Sequence, residues 1–135
     1  MALMVAQVVG GAYLFMSVAS SGSEHSTARA SRLPPIVVFG HAMLGLAAPA
    51  LWIGYLLTGW TWVAWVTLGS LVLSVTGGLF MLSRTAGRSD TVSAAAADPA
   101  DVRVAEKQIP TSVLVGHGLV AALLLVLVLL EALGA

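Results

Sequence analysis

Cysteine is absent from this 135-residue sequence, and only 9% of its residues are charged. The lack of cysteine excludes disulfides, thiolate metal sites, iron–sulfur ligation by cysteine and cysteine nucleophiles. Six basic and six acidic side chains balance to a net charge of zero, so the sequence gives no electrostatic footprint for nucleic acid. Any metal chemistry in this chain must therefore use histidine or carboxylates.

Apolar residues are what the sequence has in abundance. They make up 59% of the chain, and the mean hydropathy is +0.97, far from the balance of a water-soluble domain. Lipid is the expected solvent. One bundle of four helices uses the whole length, so we expect a single all-α domain over residues 1–135, with no separate soluble catalytic domain.

Four apolar stretches predict an up-down four-helix bundle of transmembrane helices over residues 2–20, 36–58, 62–82 and 111–133. A short outer turn at 59–61 and polar loops at 21–35 and 83–110 connect them, and an N-cap pattern at Asp98-Pro99 predicts a surface helix over about 99–107. The first stretch could also be a signal peptide, but no basic residue precedes it, which favours a retained helix.

The distribution of charge predicts the orientation. Every Lys and Arg lies in one of the two long loops, so the positive-inside rule places both loops in the cytoplasm and both termini outside. Trp60, Trp62 and Trp65 cluster at the opposite, outer turn, where indole rings favour the headgroup level. The excess of Arg over Lys with abundant Ala, Val, Leu and Gly hints at a bacterial source, and so at a multi-pass protein of the plasma membrane.

Two histidines lie well inside the apolar spans. His41 follows Gly40 in the second span and His117 follows Gly116 in the fourth, each six or seven residues after a proline. Ionisable residues within a span are rare enough to be functional candidates. Because both spans run outward from the cytoplasm, each histidine should lie about 10 Å inside the helix start.

This placement suits a porphyrin iron bound by one imidazole from each side. The second and fourth helices should be diagonal and about 13 Å apart, a gap that could hold one b-type haem with His41 and His117 as axial ligands. Small residues near the histidines would allow close approach of the macrocycle; they are Gly40, Gly45, Gly116, Gly118 and Ala121. Basic residues on the cytoplasmic side could pair with its carboxylates, although they also explain orientation alone; they are Arg29, Arg32, Arg84 and Lys107.

Other interpretations of the histidine pair stay open. Each imidazole could simply hydrogen-bond a neighbouring helix, with the glycines serving helix packing. A chlorophyll-type magnesium, a quinone head group or a transition metal are further possibilities. Zinc fits poorly, because a structural site normally needs four ligands and no carboxylate inside the spans completes this one. Glu131 lies near the outer end of the last span, where an interfacial acid is the simplest interpretation.

With its four spans and two Gly-His pairs, Gly40-His41 and Gly116-His117, the chain resembles the four-helix membrane cytochrome b subunits that anchor respiratory dehydrogenases. The resemblance is architectural and covers the span pattern and those two pairs. It implies a haem-holding, electron-transfer subunit of a larger membrane complex. Many such anchors carry two haems, whereas one histidine pair supports one.

No catalytic residues are predicted, because no nucleophile–base–acid set or phosphate-binding loop is visible. Apart from the haem-holding subunit, we consider a cofactor-free accessory subunit that stabilises the assembly of a membrane complex. A small transporter is disfavoured, because no span carries several polar groups. The apolar helix surfaces favour partnership with larger membrane subunits, and a homo-oligomer fits equally well.

Overall fold

The computed structural model describes residues 1–19, 33–86 and 110–135. Within these ranges the protein is all-α, with four helices in chain order: α1 (Ala2–Ala19), α2 (Pro35–Thr58), α3 (Thr61–Ala86) and α4 (Thr111–Leu133). Most of the two predicted polar loops, including the predicted surface helix, lies outside the described residues.

Helices α2 and α4 begin and end in the same way. Each starts after a proline in extended conformation, Pro34 with φ −59° and ψ 125° and Pro110 with φ −60° and ψ 124°. Each ends at a glycine in the left-handed region, Gly59 with φ 68° and Gly134 with φ 75°. Glycine suits these ends because a side chain is strained at positive φ. The backbone N–H of each glycine donates back to a carbonyl of the last helical turn.

Three helices, α2, α3 and α4, are long and apolar enough to cross a membrane. Helix α1 is apolar as well, but shorter. Large hydrophobic side chains are exposed on all four helices, Val9 at 64%, Met43 at 64%, Leu73 at 61% and Leu119 at 66% among them. These features are those of a membrane protein.

The helices pack side by side in chain order, and α1 also packs against α4. The most extensive contact is between α2 and α3, which only Gly59 and Trp60 separate. One cluster of buried side chains joins all four helices; its members are Met4, Ala48, Leu71, Leu124 and Val128. This cluster is the apolar core of the protein.

Small residues of α3 contribute to its contact with α2. Ser70 Oγ donates to the backbone carbonyl of Leu44 on α2 at 3.0 Å, and both Ser70 and Ser74 are buried. Gly78 lies one turn beyond Ser74 and contacts an α2 side chain. Small side chains let two helix backbones approach closely, so this face of α3 brings α2 into position for the site described next.

A paired-histidine site between α2 and α4

His41 of α2 and His117 of α4 meet inside the protein. The centroids of their imidazole rings lie 6.2 Å apart, and the ring planes are inclined by 67°. Both side chains are partly buried. The two helices that carry them are not neighbours in the ring of helix contacts, so the imidazoles reach toward each other across the interior.

The His41 imidazole is anchored to backbone. Its Nδ1 lies 2.7 Å from the carbonyl oxygen of Ser74 on α3. A carbonyl can only accept, so Nδ1 carries the proton and donates it. The Ser74 hydroxyl lies 3.4 Å from the same nitrogen and from the His41 carbonyl oxygen. In the neutral imidazole this leaves Nε2 of His41 with a lone pair, the arrangement that a metal-ligating histidine normally has.

The His117 imidazole is held by a side chain instead. Its Nε2 lies 3.1 Å from the amide nitrogen of Gln7 on α1. Two buried atoms beside this contact, Gln7 Oε1 and His117 Nδ1, find no hydrogen-bond partner among the described residues. A half-turn of the amide would bring Oε1 to Nε2, since amide oxygen and nitrogen occupy interchangeable positions. In either orientation of the amide, Gln7 is the hydrogen-bond partner of His117 Nε2.

Two glycine pairs make room for the imidazoles. A Cβ atom added to Gly78 would lie 3.2 Å from Cε1 of His41, and one added to Gly11 would lie 3.2 Å from Cε1 of His117. A Cβ added to the neighbouring Gly10 would lie 3.5 Å from Nδ1 of His117, and one added to Gly77 would lie 3.8 Å from Nδ1 of His41. Each imidazole therefore rests on a part of a neighbouring helix that has no side chain.

These contacts follow a repeat in the sequence. Helices α1 and α3 share one pattern, in which a polar residue is followed after two residues by Gly-Gly. Helices α2 and α4 share another near their starts, in which a proline is followed after five residues by Gly-His. Helices α1 and α2 form the first half of the repeat, and α3 and α4 form the second half. The glycine pair and the polar residue of each half contact the histidine of the other half. The matching positions are Gln7 with Ser74, Gly10-Gly11 with Gly77-Gly78, Pro34 with Pro110, and Gly40-His41 with Gly116-His117.

Sequence reasoning found the histidines and missed Gln7, Ser74 as a partner, and both glycine pairs. Their role depends on which helices are neighbours, and the sequence of a single helix does not reveal this. The repeat in the sequence could have pointed to the glycine pairs. When Gly40-His41 is matched with Gly116-His117, Gly10-Gly11 matches Gly77-Gly78.

The other predicted site residues have no contact with either imidazole ring among the contacts described here. A Cβ on Gly40, Gly116 or Gly118 would meet nothing within 4 Å, and one on Gly45 would lie 3.8 Å from the Ser74 hydroxyl oxygen. Ala121 is partly buried. Arg84, near the end of α3, lies over the Phe80 ring at 5.0 Å from its centroid. Arg29, Arg32 and Lys107 lie outside the described residues. The predicted contacts of all these residues with a cofactor stay predictions.

A second polar contact joins α2 and α4 near their other ends. The Tyr55 hydroxyl donates to a carboxylate oxygen of Glu131 at 2.7 Å, and the Trp52 ring lies 5.0 Å from the Tyr55 ring. The pair is exposed. Glu131 thus has a specific partner, which sequence reasoning did not anticipate.

Comparisons with known proteins add no relative: no family model, curated protein or solved structure matches the chain. Within residues 1–19, 33–86 and 110–135, no group of three or more His, Cys, Asp or Glu side chains is placed to hold a metal ion. The chemistry of the site in the described part of the chain is therefore that of two imidazoles.

Proposed function

We propose that this protein is an integral membrane subunit that holds one b-type haem between α2 and α4 and transfers electrons within a larger, respiratory-type complex. The observation that carries the proposal is the 6.2 Å separation of the two imidazole centroids. Metal–imidazole bonds are about 2.0–2.1 Å long, so imidazoles this close could both bind one metal ion if each turned a nitrogen toward it.

The donor set fits a metal that brings its own equatorial ligands. Two imidazoles supply two nitrogens, and a porphyrin supplies the remaining four, so no third protein ligand is needed. Haem provides one-electron chemistry when bound. The chain's part is to present His41 with Nδ1 bonded to the Ser74 carbonyl and Nε2 open, which fixes both the tautomer and the orientation of the ring.

The glycine pairs support the same proposal. A flat cofactor held by His41 and His117 would need neighbouring helices that carry no side chains at the level of the rings. Gly10-Gly11 and Gly77-Gly78 are the parts of those helices at the level of the rings. Glycine is the residue that lets another group approach a helix backbone this closely.

For the membrane, we propose four transmembrane helices in an up-down bundle, with α1 as the fourth span. Both long loops lie in the cytoplasm and the termini outside, as the positive-inside rule requires. Arg84 is then at the cytoplasmic end of α3, on the side where haem carboxylates would point. The exposed apolar side chains of all four helices suit lipid and larger membrane subunits equally.

A second function is favoured by a specific observation. Each imidazole already has a hydrogen-bond contact, His41 with Ser74 and His117 with Gln7, and each rests on a glycine pair. Such contacts also suit histidines that only join helices. In that case the protein is a cofactor-free accessory subunit that stabilises the assembly of a membrane complex.

A reduced-minus-oxidised visible spectrum of the protein, purified in mild detergent, separates the two functions. The haem proposal expects split α and β bands that disappear in both His41→Ala and His117→Ala. His25→Ala is the matched control, because this histidine lies in the polar segment between the first two apolar stretches, and it should keep the bands. A colourless, folded wild type would refute the haem proposal and leave the accessory subunit.

Topology has its own test, which the absence of cysteine makes simple. Single cysteines at Ala135 and Ser93 provide the only thiols of each variant. Ala135→Cys should react with a membrane-impermeant maleimide on intact cells, and Ser93→Cys only after lysis. The opposite pattern would reverse the orientation.

A further inference from the structure

We infer that the two histidines are unequal ligands, His41 fixed and His117 displaceable, and that the reduced site binds carbon monoxide or a similar neutral diatomic molecule on the face that His117 leaves. The inference rests on the proposed haem and goes beyond it, because a site with two permanent imidazole ligands transfers electrons and binds nothing else. It follows from the difference between the two halves of the repeat.

His41 is fixed because its partner is a backbone atom. The Ser74 carbonyl belongs to α3 and cannot swing away, and the 2.7 Å bond directs Nδ1 toward it. Removing the Ser74 hydroxyl would leave this bond in place. Nε2 of His41 is free for iron without breaking any contact within the described part of the chain.

His117 differs at the matching position. Gln7 is the residue of the first half that matches Ser74 of the second half. Its amide contacts Nε2 of His117, the nitrogen that an imidazole commonly offers to iron. Iron ligation through Nε2 must displace Gln7. Gln7 is also a long side chain that can rotate, unlike the backbone carbonyl that holds His41. Both Gln7 Oε1 and His117 Nδ1 lack hydrogen-bond partners among the described residues. The His117 imidazole can therefore bind iron or bond Gln7, and the two states compete.

With haem bound and reduced beforehand by an external one-electron donor, carbon monoxide would take the place of the His117 imidazole without a further redox step. The chain's own part would be to hold the released imidazole, whose Nε2 would again contact Gln7. No proton leaves the site. Gln7 thus stabilises the released imidazole, and its removal should favour the state with both histidines bound.

The test is a carbon monoxide titration of the dithionite-reduced protein, followed by the Soret band. We expect the wild type to bind carbon monoxide, and Gln7→Leu to bind it roughly twofold to tenfold more weakly, the effect of losing one neutral hydrogen bond. Thr76→Val is the control, because the exposed Thr76 hydroxyl donates only within its own helix, α3, and this variant should equal the wild type. His117→Ala should lose the split bands of the site with two histidine ligands but keep haem and bind carbon monoxide without competition, whereas His41→Ala should lose haem.

A second readout uses the haem-free protein. Nitrogen-15 NMR of the imidazoles should show that Gln7→Leu shifts the His117 resonances and leaves those of His41 unchanged, with Nδ1 of His41 protonated throughout. Equal shifts of both histidines would overturn the assignment of unequal partners.

The outcomes distinguish the two proposals. Wild type that shows no Soret band overturns both. Wild type that holds haem with split bands but shows no spectral change in buffer saturated with carbon monoxide overturns this inference and leaves electron transfer. Carbon monoxide binding that Gln7→Leu does not weaken relative to Thr76→Val also overturns it.

Discussion

Gly78→Ala tests whether the His41 ring truly rests on the α3 backbone. The added Cβ would lie 3.2 Å from Cε1 of His41, closer than ordinary van der Waals contact, and 3.6 Å from Nδ1, an ordinary contact distance. The ring cannot easily retreat, because its Nδ1 is bonded to the Ser74 carbonyl of the same helix. Gly69→Ala is the matched control, since a Cβ at that position of α3 meets nothing within 4 Å.

Two opposing effects set the magnitude. Replacing glycine by alanine within a helix stabilises it by about 1 kcal/mol. An overpacked interior typically costs about 1–3 kcal/mol. Gly69→Ala should therefore raise the free energy of unfolding by about 1 kcal/mol, and Gly78→Ala should fall below Gly69→Ala by about 1–3 kcal/mol. Gly11→Ala should cost less, because the Gln7 side chain that holds His117 can move with the ring.

The assay is SDS-induced unfolding of the three variants in mixed micelles, followed by circular dichroism, with haem content measured on the same samples. Gly78→Ala should also bind less haem, because it displaces the anchored ligand. If Gly78→Ala and Gly69→Ala gain the same stability, the imidazole does not rest on this glycine, and the reasoning about both glycine pairs fails.

Two further changes test the packing around the site. Ala64→Leu should lower the free energy of unfolding by about 1–3 kcal/mol, because Ala64 is fully buried, while Val66→Leu at a position 45% exposed on the same helix should be nearly neutral in the same SDS titration. Tyr55→Phe removes the hydrogen bond to Glu131. Because this pair is exposed, we expect almost no change of stability in the same SDS titration and an unchanged spectrum, and a loss of haem bands would mean that the contact reaches the histidines.

The helices were largely readable from the sequence because each apolar stretch is bounded by proline, glycine or charge. The fourth stretch was predicted over 111–133, and α4 is Thr111–Leu133. The third was predicted to end at residue 82, whereas α3 continues to Ala86. The prediction ended the helix where the sequence becomes polar, but backbone hydrogen bonding can continue through polar residues. Arg84 lies within α3, with its guanidinium over the Phe80 ring.

The candidate site was only half predictable. Matching depths of two Gly-His pairs can be counted along a chain, because a helix rises by a constant amount per residue. The glycines named from sequence were those beside each histidine on its own helix, yet Gly40 and Gly116 face open space. The glycines that contact the rings belong to other helices, and their choice depends on how each helix is rotated about its axis.

The sequence by itself determined an all-α chain, its apolar helices and two histidines at equal depth, since composition and spacing act along the chain. Only the tertiary structure decided that the imidazoles come within 6.2 Å, that each rests on a glycine pair of another helix, and that one bonds backbone while the other bonds Gln7. Helices that are apolar all round leave rotation and neighbours unspecified. Close packing of small residues and the few buried polar groups settle both.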